Sequence, residues 1–249
     1  MDLYGLIGNP VSHSLSEKYF TDKFKVEGIN ARYERFLLER IEALPVILKA
    51  YPALMGLNIT SPFKEAVIKY CDELDETASA IRAVNTLRIS RSVNSIKLKG
   101  YNTDVDGFAA SLIPKLGRMR PDALILGSGG AARAIAMALF RIGIKYQVVS
   151  RIPGTGILNY KDLYADVVRN NKLIINATPL GMGNLTGQCP DIPFAGIGKK
   201  HIIYDLIYNP VETEFLRRSK AKGATVINGL MMLQAQAELS WQIWQKSGK

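Results

Sequence analysis

Asp122-Ala123-Leu124-Ile125-Leu126-Gly127-Ser128-Gly129-Gly130-Ala131-Ala132-Arg133 decides the reading of the fold. Its four apolar residues have the length and composition of a strand buried on both faces. The glycine loop opens an apolar stretch that reads as a helix ending near Gly143, and Tyr146 to Ser150 reads as the next strand. Glycines let a backbone approach a pyrophosphate, and a helix N-terminus supplies free N–H donors. Gly127, Ser128, Gly129 and Gly130 are therefore assigned as a dinucleotide phosphate loop, with a tight structural turn as the alternative. The end of the second strand selects the dinucleotide: an acid there holds the ribose 2′-hydroxyl of NAD, an arginine the 2′-phosphate of NADP. Val148-Val149-Ser150-Arg151-Ile152 has no acid, so Arg151 favours NADP, against the alternative of a solvated loop arginine.

Outward from this unit, residues 172–176, 201–206 and 225–228 read as further strands of a parallel, doubly wound sheet. The first hundred residues alternate in the same way. Strands are expected at 4–7, 31–36 and 55–59, helices at 16–26, 41–50 and 62–70, and a strand pair at 85–89 and 95–100. The expected fold class is α/β in two domains. An N-terminal α/β substrate domain spans 1–104 and is completed by 229–249; a Rossmann-like dinucleotide domain spans 105–228. A helix from Val105 to about Leu116 and an apolar helix from Leu230 to Lys246 are expected to bridge them.

Composition bounds the function. An apolar fraction of 47% and a charged fraction of 22% fit a globular protein, and no apolar run reaches the ~20 residues of a membrane span. No secretion-signal layout opens the sequence, so a cytoplasmic location is expected. Two cysteines, Cys71 and Cys189, and two histidines, His13 and His201, match no metal spacing; no metal is expected. The net charge of +10 is dispersed, with no basic arm, so neither nucleic acid nor membrane is expected as a partner. A small anionic molecule is.

The catalytic candidate is Lys64, in Asn58-Ile59-Thr60-Ser61-Pro62-Phe63-Lys64-Glu65. Ser61 and Pro62 read as the N-cap and first residue of a helix, which puts Lys64 in its first turn. The positive helix end destabilises an ammonium there, so the lysine pKa is expected to fall towards that of a general base; a snorkelling surface lysine is the bland alternative. Asp104, in Gly100-Tyr101-Asn102-Thr103-Asp104, either caps the following helix or faces Lys64 across a cleft. Ser12, Ser14 and Ser16 alternate so that an extended segment would point them together at a carboxylate. Ser14-Leu15-Ser16-Glu17 is equally a capping box. Asn85-Thr86 and Gln236 are polar residues in apolar settings.

Together these segments resemble the shikimate dehydrogenase family over essentially the whole chain. The motifs are Gly8-Asn9-Pro10-Val11-Ser12-His13-Ser14-Leu15-Ser16, residues 56–64, Ala83-Val84-Asn85-Thr86, residues 100–104 and the loop Gly127 to Ala131. Asn176-Ala177-Thr178-Pro179-Leu180-Gly181-Met182, residues 204–210 and Gly229-Leu230-Met231-Met232-Leu233 continue them. The resemblance implies reversible reduction of 3-dehydroshikimate to shikimate with NADPH, in aromatic amino-acid biosynthesis, by a monomer or homodimer. It implies Ser14 and Ser16, helped by Tyr208, on the substrate carboxylate, and Thr60, Asn85, Asp104 and Gln236 on the ring hydroxyls. Lys64 and Asp104 form the implied catalytic pair. Gly127, Gly129, Gly130, Ala131, Ser150 and Arg151 carry the cofactor phosphates, with Leu206 and Gly229 near the nicotinamide.

One departure stands out. Many members have Asn-Arg-Thr where this chain has Ser150-Arg151-Ile152, leaving the 2′-phosphate mainly to Arg151 and weakening its preference over a 2′-hydroxyl. A quinate/shikimate dehydrogenase with relaxed cofactor use is the alternative enzyme, and a non-catalytic metabolite sensor the alternative of another class.

Overall fold

The computed structural model describes residues 1–11, 14–152 and 154–246. The chain divides into two compact units, Met1–Asp104 with the chain from Gln236 onward, and Val105–Ala235.

The first unit begins with β1 (Asp2–Gly8), α1 (Ser16–Val26), β2 (Ala31–Leu37), α2 (Leu44–Ala50) and β3 (Leu54–Ile59). After a short 3₁₀ segment at Ala66–Tyr70 come β4 (Glu73–Leu74), α3 (Glu76–Ile81), β5 (Thr86–Ser92) and β6 (Ser95–Tyr101). The strand order is β2-β1-β3-β5-β6-β4. β1 runs parallel to β2 and β3, while β5 is antiparallel to β3 and β6. The carboxyl ends of β1, β3 and β6 and the start of β5 therefore share one sheet edge. Alternation along each strand divides the core between two faces. Leu3, Ile7, Leu57, Ile59, Leu87 and Ile89 pack on one side. Tyr4, Leu6 and Tyr33 meet Phe20 and Phe24 of α1 on the other, together with Trp241 and Trp244.

The second unit takes up α4 (Asp104–Leu116) from Val105 and continues with β7 (Ala123–Leu126), α5 (Gly130–Arg141), β8 (Tyr146–Ser150), β9 (Ile157–Asn159), α6 (Ala165–Asn170) and β10 (Leu173–Asn176). β11 (Ile202–Asp205), α7 (Glu214–Lys220) and β12 (Thr225–Ile227) follow, and α8 (Leu230–Gln245) runs on into the first unit at Gln236. All its strands are parallel, in the order β12-β11-β10-β7-β8-β9. Every residue of β7, β10 and β11 is buried, as expected where both faces of a parallel sheet are covered. The chain leaves β7 towards β8 on one side and returns to β10 on the other. That reversal is the switch point at which open α/β sheets bind ligands, outside the strand carboxyl ends.

Three readings of the sequence are corrected. The helix over 62–70 is absent: residues 61–65 are turns and only Ala66–Tyr70 winds, as a 3₁₀ segment. Competing bonds explain this, since the Ser61 carbonyl accepts from Asn9 N–H (3.1 Å) and the Lys64 carbonyl from Val84 N–H (2.8 Å). An α-helix would have used both. Secondly, α8, expected as an apolar helix, is buried only in part; Met232, Ala237, Ser240, Trp241 and Trp244 are buried, while Leu230 and Met231 are exposed. Thirdly, β4, α3, β9, α6 and α7 went unread; α3 is announced only by Asp75, whose carboxylate accepts from Ala78 N–H and caps it.

Candidate active site

In the first unit the shared sheet edge collects the polar residues. Ile7 and Ile59 are register partners, so the segments carrying Ser14 and Ser16 and those carrying Thr60 and Lys64 leave adjacent strands side by side. Asn9 N–H to Ser61 O (3.1 Å) and Thr60 N–H to Ile7 O (2.9 Å) tie them together. Asn85 precedes β5 and bonds on both flanks, its carbonyl accepting from Ile59 N–H and its N–H donating to Tyr101 O. Asp104 follows β6 by a few residues.

Lys64 Nζ donates to Asp104 Oδ2 at 2.7 Å, with side chains 18% and 9% exposed. The lysine and aspartate that the sequence offered as facing each other thus form one ion pair. The positive helix end invoked for Lys64 does not exist, because the winding starts only at Ala66. The aspartate is fixed from behind. Its Oδ1 accepts from Asn85 Nδ2 at 2.9 Å, and its N–H donates to Asn102 Oδ1 at 3.0 Å. Asn85 Oδ1 accepts from Thr103 N–H (2.8 Å), and Gln236 Oε1 lies 3.4 Å from Thr103 Oγ1 and 3.5 Å from Asn85 Nδ2.

A second buried layer, which the sequence reading missed in part, holds this one. Asn58 Nδ2 donates to Ser240 Oγ (2.9 Å) and Thr86 Oγ1 (3.3 Å), Asn58 Oδ1 accepts from Tyr33 (2.8 Å), and Thr86 and Ser240 hydroxyls meet at 2.8 Å. Two signals were available. Asn58 interrupts the apolar run Leu57–Ile59, and Ser240 stands four residues after Gln236, on the same helix face.

Ser14 and Ser16 pair at 3.2 Å, and Ser14 Oγ also accepts from Ser16 N–H. The capping box is not formed: α1 starts at Ser16 without a side-chain cap, and Glu17 reaches Arg35 at 2.6 Å. Ser12 and His13 lie outside the described residues.

In the second unit, Gly127 adopts φ +114° and its N–H donates to Val149 O at 2.8 Å. A side chain there would press on the Ala177 carbonyl, 3.1 Å from an added Cβ, whereas at Gly129 an added Cβ meets nothing within 4 Å. α5 starts at Gly130 without a side-chain cap, so no capping side chain takes up its first N–H groups. This cradle fits a phosphate group. Arg151 is exposed beyond it. Ser150 is buried and engaged, meeting Ser128 Oγ at 2.9 Å and accepting from Ile152 N–H at 3.1 Å, so it braces the loop against the strand end. Gly229 packs so closely on Leu206 that an added Cβ would lie 2.0 Å from its carbonyl oxygen. Tyr208 is half-buried in the loop after β11.

At that edge lies a buried carboxylate. Asp205, fully buried, accepts from Thr213 Oγ1 (2.6 Å), Ile207 N–H (3.1 Å) and Asn176 Nδ2 (3.0 Å). Burial pushes its pKa from 3.8 up to about 6, against the pull of those bonds. The folded protein then holds the proton more tightly than the unfolded chain, so stability falls as pH rises between those two values. The loss is about 3 kcal/mol. Urea unfolding should show Asp205→Asn gaining on the wild type by roughly that amount between pH 4 and pH 7; a constant difference would contradict the assignment.

Among the described residues no group of acids, histidines and cysteines could hold a metal, and no helix is long and apolar enough to cross a membrane.

Similarity to known proteins extends over the whole chain. Residues 6–87 match the model of the shikimate dehydrogenase substrate binding domain. The chain is 39% identical to the shikimate dehydrogenase (NADP(+)) of Methanococcus maripaludis, over 97% of this chain and 90% of the relative. Among solved structures it is similar to shikimate dehydrogenase 1 of Peptoclostridium difficile, with 34% identity, a TM-score of 0.86 and coverage of 100% and 93% of the two chains. It is equally similar to the shikimate 5-dehydrogenase of Thermus thermophilus in complex with NADP(H) and shikimate, with 33% identity, a TM-score of 0.86 and coverage of 99% and 94%.

Proposed function

The chain belongs to the shikimate dehydrogenase family, and from that premise we propose that Lys64 and Asp104 carry the proton of its reaction. It is an NADP-dependent oxidoreductase that interconverts shikimate and 3-dehydroshikimate. The observation that carries the proton assignment is the 2.7 Å contact between Lys64 and Asp104.

The bound nicotinamide supplies the hydride chemistry. The protein's part is placement and the proton. In reduction, the Lys64 ammonium donates a proton to the oxygen that becomes the hydroxyl; in oxidation, the free amine takes that proton back. Asp104 balances the ammonium charge and accepts the substrate hydroxyl. Asn85 holds Oδ1 of Asp104 and so leaves Oδ2 for Lys64 and substrate. Thr60 and Gln236 hold the remaining ring hydroxyls, and the Ser14–Ser16 pair the carboxylate. We assign substrate to the unit of Met1–Asp104 and the cofactor to that of Val105–Ala235, in a cytoplasmic monomer or homodimer.

Gly127 to Ala131 hold the pyrophosphate through backbone N–H groups, with Ser128 and Ser150 bracing the loop. Arg151 holds the 2′-phosphate, and Leu206 and Gly229 border the nicotinamide. Arg151→Ala should weaken NADPH roughly 10- to 100-fold, the worth of a charged hydrogen bond, and leave NADH nearly unchanged. Equal weakening of both in fluorescence titrations would remove Arg151 from 2′-phosphate reading.

The function is tested by following reduced-nicotinamide absorbance with shikimate or quinate against NADP or NAD. Turnover is expected with shikimate and NADP. Comparable turnover of quinate would make the protein a broader dehydrogenase, and no turnover by folded protein would favour a sensor.

A further inference from the structure

The buried carboxylate of Asp205 is more than the fold requires. Asn176 and Asp205 are register partners at the carboxyl ends of β10 and β11, level with Leu126, the residue before the glycine loop. From this row two loops depart. Asn176 Nδ2 spans Asp205 Oδ1 (3.0 Å) and the Leu180 carbonyl (3.2 Å), while its Oδ1 accepts from Thr178 N–H (3.0 Å) and Thr178 Oγ1 (2.6 Å). Asp205 holds the other loop through Ile207 N–H and Thr213, the residue that caps α7. An asparagine side chain could take up most of this pattern with no charge to bury. Among the described residues Asp205 makes no ion pair. An unpaired buried charge destabilises a fold, so its presence calls for a cationic counterpart that none of the described residues supplies.

The cofactor supplies one. Because the sheet order reverses between β7 and β10, a dinucleotide whose phosphates rest on the loop after β7 and whose 2′-phosphate meets Arg151 after β8 lays its other end over β10 and β11. That end is the nicotinamide, positively charged when oxidised and neutral when reduced. We infer that Asp205 is a positioning residue whose negative charge, set behind the loop of Leu206, makes the site prefer the oxidised cofactor over the reduced one. The inference rests on the cofactor placement proposed above. Coulomb attraction between unit charges up to about 10 Å apart, at an effective dielectric of about 20, corresponds to a preference of roughly tenfold or more.

The test is to titrate wild-type and Asp205→Asn protein at pH 8 with NADP+, NADPH and adenosine 2′,5′-bisphosphate, which lacks the nicotinamide. The variant should bind NADP+ at least about tenfold more weakly, and NADPH and the bisphosphate within about twofold of wild type. Equal weakening of NADP+ and NADPH, or none, would overturn the inference and leave Asp205 a loop clamp. A wild-type protein that binds none of the three would overturn the cofactor placement itself, and the inference with it. Should Asp205→Asn not fold, the wild type carries the test alone. The groups facing Asp205 are Asn176 from β10, Ile207 N–H from its own loop and Thr213 from the start of α7, and none of these titrates. Its proton returns near pH 6, so the ratio of NADP+ to NADPH affinity should fall by about as much between pH 8 and pH 5, while the phosphates common to both ligands cancel. A flat ratio would overturn the inference.

Discussion

Lys64→Ala is expected to lower kcat by about 10²- to 10⁴-fold, the range for a general acid–base group, with KM for shikimate within a few-fold of wild type. The reason is geometric. The ammonium sits 2.7 Å from Asp104, which two further bonds hold in place: Asn85 Nδ2 donates to its Oδ1, and its own N–H donates to Asn102 Oδ1. Removing the lysine leaves those supports standing, so on the proposed assignment the ring hydroxyls keep their partners while the proton loses its carrier. Asp104→Asn should also depress kcat but raise KM more, because the proposed role of Asp104 includes a substrate hydroxyl as well as the partnership with Lys64. Steady-state kinetics of both variants check this. A Lys64→Ala enzyme with near-normal kcat would take the lysine out of the mechanism.

Trp244→Ala should cost about 3–5 kcal/mol of stability, the usual loss for a large aromatic removed from a core. Trp244 is 7% exposed and stacks on Tyr4 with ring centroids 4.8 Å apart. Phe20 is also close, at 5.3 Å. Its indole N–H donates to the Leu87 carbonyl at 3.0 Å, a bond the alanine would lose. Gly56 is part of the same fit, since an added Cβ would lie 2.2 Å from the indole nitrogen. Chemical denaturation measures the loss; a change under about 1 kcal/mol would mean that the helix carrying Trp244 is not integral to the core.

How much of this was legible in the sequence follows from how local each signal is. The buried strands of the second unit showed plainly, because short apolar runs such as Ala123–Leu126 and Leu173–Ile175 stand between glycine or polar boundaries. The glycine loop was legible because Gly127 answers to a backbone requirement that sequence displays directly. Lys64 was found for a reason that failed. Its helix depended on carbonyls that distant residues, Asn9 and Val84, had already claimed. No window around residue 64 contains that competition. The same holds for Asn58 and Ser240, which lie 182 residues apart and meet at 2.9 Å. Asp205 was visible as a residue of a motif, but its want of an ion pair became visible only with its neighbours in place. β9 escaped because Arg151 to Gly156 is too short for the helix that ordinarily joins parallel strands.

The account's central claim is that Lys64 moves the proton, and chemical rescue tests it most directly. Lys64→Ala protein, saturated with shikimate and NADP, is supplied with small primary amines of graded basicity, and NADPH formation is followed. The claim predicts turnover that rises with amine concentration and depends on amine pKa. Turnover that no amine restores, in a variant shown to bind both shikimate and NADP, would contradict it.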